Sequence, residues 1–250
     1  MADIPTFNNL SLGRHGNVFV LTMQKPPENR LNSTYCQEMI LAYRTIEKTL
    51  GAESAGAVIT RGNDTKFWST GLELEESDKN PFANTDGFYP SSNESKLIHT
   101  ILDFPFPTIA LLTGHTFGGA CPLALAHDYR IMNSRRGFIS MPPVNLGLHF
   151  DGIGALPRLK LRPQVARKML LEAHRWTGKE ALEDGIVDAV AEPEDMLDVA
   201  LEMGAKWAPK AQMGVYAVLR QELWGDAIKK FQRISYVHGR MTSAPAKVKI

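Results

Sequence analysis

The chain has 250 residues, 44% hydrophobic and 22% charged, with a formal net charge of +1 at pH 7. That is the composition of an ordinary globular chain of one large or two small domains, and it excludes long disorder and a coiled coil. The balanced charge argues against a generic nucleic-acid binder, and two cysteines without paired spacing, Cys36 and Cys121, argue against a disulfide scaffold or zinc ribbon.

In chain order, residues 17–23 are apolar and β-branched and read as a strand, which Pro26 and Pro27 end. Thr34 and Gln37 have capping-box spacing. Met39, Tyr43, Ile46 and Leu50 then fall on one face of an amphipathic helix. Residues 56–60 read as a short buried strand, and 62–90 as a long loop rich in Gly, Asn, Asp, Ser and Pro. A helix is predicted over about 92–102 and a strand over 108–113. After the turn at 114–120, a helix is predicted over 121–127, with Pro122 in its first turn, where a missing N–H costs nothing. Residues 128–134 and 137–141 read as extended. Beyond Gly152 the pattern is helical, and the segments 194–208, 211–224 and 226–238 are amphipathic. The class is α/β in the first two-thirds and helical at the end.

Several chemistries are absent from the sequence. There is no Gly-x-Ser-x-Gly, no His-Glu-x-x-His and no Walker A pattern. Gly152 and Gly154 open like a dinucleotide fingerprint, but Pro157 stands where its third glycine belongs. His99, His127 and His174 are isolated and read as structural or exposed. No apolar run approaches the ~18 residues of a membrane span. The first residues lack the features of a secretory signal or transit peptide, so the expectation is an intracellular, soluble protein.

Two glycine-centred turns carry the chemistry. The first is 67–74, containing Trp68, Gly71, Leu72 and Glu73. The second is 113–120, containing Phe117, Gly118 and Gly119, between a strand and a helix. A strand-to-helix turn leaves backbone N–H groups free at the positive end of a helix dipole. Two such turns converging would make an oxyanion hole.

Together these turns resemble the crotonase superfamily (enoyl-CoA hydratase/isomerase). The stretch 107–130, the element from Trp68 to Leu74, residues 145–148 and residues 176–188 match four family segments in order. The resemblance implies a crotonase-like spiral of ββα turns with a helical C-terminal region: a core over 1–193 and an oligomerisation region over 194–250. It implies an acyl-CoA substrate, homotrimers or hexamers, and no cofactor beyond the CoA of the substrate; no metal is expected, and the balanced charge argues against nucleic acid. The oxyanion-hole amides fall on Leu72 and Gly119. Trp68, Gly71, Phe117, Gly118 and His149 fall at substrate-lining positions. Lys66 matches a position near the adenine. The basic run Arg158, Lys160, Arg162, Arg167 and Lys168, and Lys229 and Lys230 on the last helix, are candidates for the CoA phosphates.

The chain departs from the family's hydratases at both carboxylate positions, which are here Pro122 and Pro143. Proline neither donates nor accepts a proton, so hydration is disfavoured. Asp151, after Asn145-Leu146-Gly147-Leu148, stands where peroxisomal and fungal-type Δ3,Δ2-enoyl-CoA isomerases carry a Glu. It is either the single base of an isomerase, its pKa raised by burial, or a helix N-cap before Gly152. The expected function is therefore Δ3,Δ2-enoyl-CoA isomerisation. The alternatives are hydration or thioester hydrolysis in the same fold, and a catalytically silent CoA-binding scaffold. The terminal Val248-Lys249-Ile250 is a weak match to a peroxisomal address, leaving peroxisome and cytoplasm open.

Overall fold

The computed structural model describes residues 5–73, 97–148 and 152–233, apart from the side chains at 230, 232 and 233. Leu10–His15 (β1) and Val18–Met23 (β2) form an antiparallel hairpin whose turn holds Gly16 at φ 60°. Ser33–Leu50 (α1) follows. Its cap is Asn32, whose side chain accepts from Tyr35 N at 2.9 Å, rather than the expected Thr34. The apolar face is as read: Met39, Tyr43 and Ile46 are buried.

Ala57–Gly62 (β3) and Phe67–Ser69 (β4) are consecutive but belong to different sheets. Thr108–Leu112 (β5) with His115–Phe117 (β6) and Tyr129–Asn133 (β7) with Ile139–Ser140 (β8) repeat the step. With Ala189–Ala191 (β9), the large sheet has the order β1-β2-β3-β5-β7-β9 and the small one β4-β6-β8. Each turn of the chain thus lays one strand in each sheet, which is the expected spiral. Among the described strands, every strand-to-strand pairing but β1–β2 is parallel; Ile139 of β8 also makes an isolated antiparallel bridge with Trp176. Parallel strands are covered on both faces, which is why β3 and β5 read as unbroken apolar runs.

The helices are α1, Leu97–Leu102 (α2), Ala120–Ala126 (α3), Pro143–Leu146 (α4), Ala155–Lys160 (α5), Pro163–Leu171 (α6), Gly178–Glu183 (α7), Met196–Trp207 (α8) and Val215–Arg233 (α9). One core lies between the large sheet and α1, α2 and α3, and the other between the opposite face and α8. None of the helices among the described residues is long and apolar enough to cross a membrane. The start of the expected helix at 92–102 lies outside the described residues, as does 74–90 of the expected long loop.

Three readings of the sequence are corrected. β1 and the three-residue β9 were not expected. The expected separate helices at 211–224 and 226–238 are, as far as described, one helix running through Gly225. It is held by a buried pair, Arg220 Nε to Asp128 Oδ1 at 2.8 Å. Asp128 also accepts from Thr108 N and Oγ1 and from Tyr216 Oη. Arg220 donates further to the carbonyls of Phe104 and Ile101.

Candidate active site

The first glycine turn is clamped by the chain at 28–32. Leu31 N donates to Gly71 O at 2.7 Å, Glu73 N to Leu31 O at 2.9 Å and Thr70 N to Glu28 O at 3.1 Å. Ser69 Oγ donates to Asn29 O, and Gly71 N donates to Ser69 Oγ. Gly71 has φ 87°, a conformation other residues rarely adopt. The second turn is pinned by Gly118 N to Ser140 O at 3.0 Å and Cys121 N to Gly118 O at 2.9 Å. Gly119 is the N-cap of α3.

The two turns meet backbone to backbone. A Cβ on Gly71 would lie 2.6 Å from Gly119 N and 2.7 Å from Phe117 O. A Cβ on Gly119 would lie 3.4 Å from Leu72 N. Among the described residues, neither Leu72 N–H nor Gly119 N–H donates to a backbone or side-chain acceptor. Two unused donors stand side by side at the positive end of a short helix, an arrangement suited to a developing oxyanion.

The other expected site residues divide. Gly71, Leu72, Gly118 and Gly119 come together. Phe117 contributes its carbonyl to this contact, while its ring packs on His115 at 5.1 Å between centroids. Lys66 is exposed at the edge, its Nζ 5.0 Å above the Phe67 ring. Trp68 is corrected: it is 0% exposed, and its indole N–H donates to Thr60 O at 3.4 Å, so it is core and not a wall of the site. Lys160 is corrected too. Its Nζ turns inward to His127 O at 2.9 Å and over the Trp224 ring at 4.2 Å. Arg162, Arg167 and Lys168 pair with Asp184, Glu172 and Asp184. His149, Asp151 and the Lys230 side chain lie outside the described residues. The helix that follows begins at Ala155, with Gly154 as its N-cap.

The carboxylates nearest the turns within the described residues are engaged. Glu73 accepts from Lys25 Nζ at 2.6 Å and Asn32 Nδ2 at 2.9 Å. The Lys25 hydrogen bond above all holds its carboxyl below the usual range. Glu28 pairs with Arg30 and accepts from Thr70 Oγ1. Pro122 and Pro143 are both buried. The sequence did not single out Asn29, Ser69 and Ser140, which fix the turns. Their signal is short polar side chains, common everywhere.

A model of the enoyl-CoA hydratase/isomerase family matches residues 13–247. The peroxisomal enoyl-CoA delta isomerase 2 of Arabidopsis thaliana is 31% identical over 230 residues, covering 86% of this chain and 92% of its own. Carnitinyl-CoA dehydratase of Citrobacter koseri is 29% identical over 212 residues, covering 84% and 78%. Among solved structures, the probable enoyl-CoA hydratase EchA3 of Mycobacterium tuberculosis superposes with TM-score 0.79 at 20% identity, covering 90% and 92%. That likeness concerns the fold.

Proposed function

The chain belongs to the enoyl-CoA hydratase/isomerase family, and from that premise we propose that it is a Δ3,Δ2-enoyl-CoA isomerase. What supports this reading is the pairing of two amides without an acceptor among the described residues, Leu72 and Gly119, with two buried prolines at the family's hydratase positions. The thioester oxygen accepts from both N–H groups. Asp151 takes a proton from C2 of the 3-enoyl thioester, the electrons delocalise onto the carbonyl oxygen, and the same carboxyl returns the proton at C4. No atom is gained or lost. Hydration, or the dehydration named for the Citrobacter relative, needs a second positioned acid or base, and Pro122 and Pro143 offer none. The name of the Arabidopsis relative supports isomerisation and favours the peroxisome as its place of work.

The test is to offer purified protein 3-enoyl-CoA and, separately, 2-enoyl-CoA. Conversion of the first with no hydration of the second is the expected result. Efficient hydration overturns the reading. Gly119→Val is its internal control. Gly119 has φ −59°, so valine fits the backbone, yet its Cβ stands 3.1 Å from Leu72 Cγ and its methyls fill the space before the amides. Turnover should fall about 10²–10³-fold, as for loss of one oxyanion donor. CoA, held elsewhere by its phosphates, should still bind. Unchanged turnover in folded Gly119→Val removes these amides from the mechanism.

We further propose assembly into trimers or paired trimers. Val215, Val218, Leu219 and Leu223 form a row along α9, each more than half exposed, a face that contact with another copy would cover. Light scattering should report three or six chains. A clean monomer at micromolar concentration refutes it.

A further inference from the structure

Where α1, β3 and the end of α3 meet lies a closed polar triangle with no part in the proton transfer. Tyr43 Oη and Thr60 Oγ1 are 2.7 Å apart, and each is 3.0 Å from His127 Nε2. All three residues are fully buried. His127 Nδ1 lies 2.9 Å from Leu123 O. A carbonyl only accepts, so Nδ1 carries the hydrogen and Nε2 accepts. One hydroxyl hydrogen then goes to Nε2 and the other between the two oxygens, which satisfies the triangle with a neutral ring. Burial pushes His127 down to about 3, so it stays neutral at any working pH.

The triangle joins both halves of the candidate site. His127 is the C-cap of α3, and its ring holds the last-turn carbonyl of that helix, whose other end presents Gly119. Its own carbonyl accepts from Arg130 Nη1 at 2.8 Å and Lys160 Nζ at 2.9 Å. Thr60 reaches the other half: its carbonyl accepts from Trp68 Nε1, on the strand that leads to Leu72. One threonine on β3 therefore holds α3 through its hydroxyl and β4 through its carbonyl.

We propose that Thr60, Tyr43 and His127 are positioning residues that set the Gly119 amide in register with the Leu72 amide. This rests on the oxyanion reading above. Supporting hydrogen bonds with locked side chains are what hold a constellation within the small tolerance that catalysis requires.

The test compares Thr60→Val, which keeps shape and removes the hydroxyl, with Thr60→Ser, which keeps the hydroxyl, and with Tyr43→Phe, which removes one oxygen and leaves the ring. Thr60→Val and Tyr43→Phe should lower kcat about 10- to 10²-fold, the scale of a small misplacement. KM should stay within about twofold, since ground-state binding is untouched. Thr60→Ser should recover most of kcat, and the pH profile should keep its shape. Hydrogen exchange over residues 113–123 should quicken in Thr60→Val and Tyr43→Phe. Folded variants with unchanged kcat and unchanged exchange overturn the proposal. So does a pH profile that moves, since His127 would then titrate in the reaction. If Gly119→Val is fully active, the oxyanion reading fails by itself. The exchange comparison then decides whether the triangle positions the turn.

Discussion

Asp151→Asn should leave a folded protein whose 3-enoyl-CoA turnover has dropped about 10²–10⁴-fold, the range a positioned general base contributes. From Gly114 to Gly154 the carboxylates are Asp128 and Asp151. Asp128 is buried against Arg220 and Thr108, so it is unavailable to a substrate. Glu73, next to the Leu72 amide, is held by Lys25 and Asn32 and kept ionised by the lysine, which makes it a weak base. Asparagine matches aspartate in size and capping ability but takes no proton. The N-cap of α5 is Gly154, so stability should shift by less than about 1 kcal/mol. Full isomerase activity in Asp151→Asn would send the search for the base to other residues.

Arg220→Leu should lower unfolding free energy by about 3–5 kcal/mol, the cost of leaving one member of a buried ion pair without the other. A typical domain has ~5–15 kcal/mol in all, so the midpoint of denaturant unfolding should fall steeply. The loss also has a pH signature. Burial alone would raise the Asp128 carboxyl, but Arg220, then Lys160 and the Thr108 amide, outweigh it and hold it below the usual value. A lowered carboxylate stabilises the fold above its unfolded-state pKa, and that contribution fades as pH falls through the folded one. The variant, with Asp128 released from its main partner, should therefore unfold at a higher pH on the acid side than wild type does. An unfolding free energy within about 1 kcal/mol of wild type would mean that α9 is held by its apolar face alone.

Local pattern made much of this legible. The apolar runs of β2, β3 and β5 mark strands covered on both faces, and the spacing of Met39, Tyr43 and Ile46 marks a buried helix face. The glycine turns show because only glycine lets Gly71 adopt φ 87° against another backbone. β1 was hidden because Ser11, Gly13 and the charged Arg14 dilute its alternation on an exposed edge. β9 was hidden because three residues carry no periodicity. Gly225 was a fair stop signal, but Arg220 before it and Ala227, Ile228 and Phe231 after it are buried, and that packing outweighs one glycine. Trp68 looked like a pocket wall because the family resemblance put it at a substrate-lining position, but a strand residue can face either way. The triangle had no sequence signal at all: its members are 17, 67 and 84 positions apart.

His127 and Asp128 are adjacent, yet one faces Tyr43 and Thr60 and the other faces Arg220 and Thr108. Gly119 sits at the opposite end of the seven-residue α3. Adding or deleting one residue between them would turn one end against the other by ~100° and shift it by ~1.5 Å. No relaxation of side chains could then satisfy Gly119, His127 and Asp128 together. Residues 120–126 can thus exchange one buried side chain for another of similar volume, but their number is fixed. Among homologous chains, insertions and deletions should fall elsewhere, because a change in length here breaks three distant anchors in a single step.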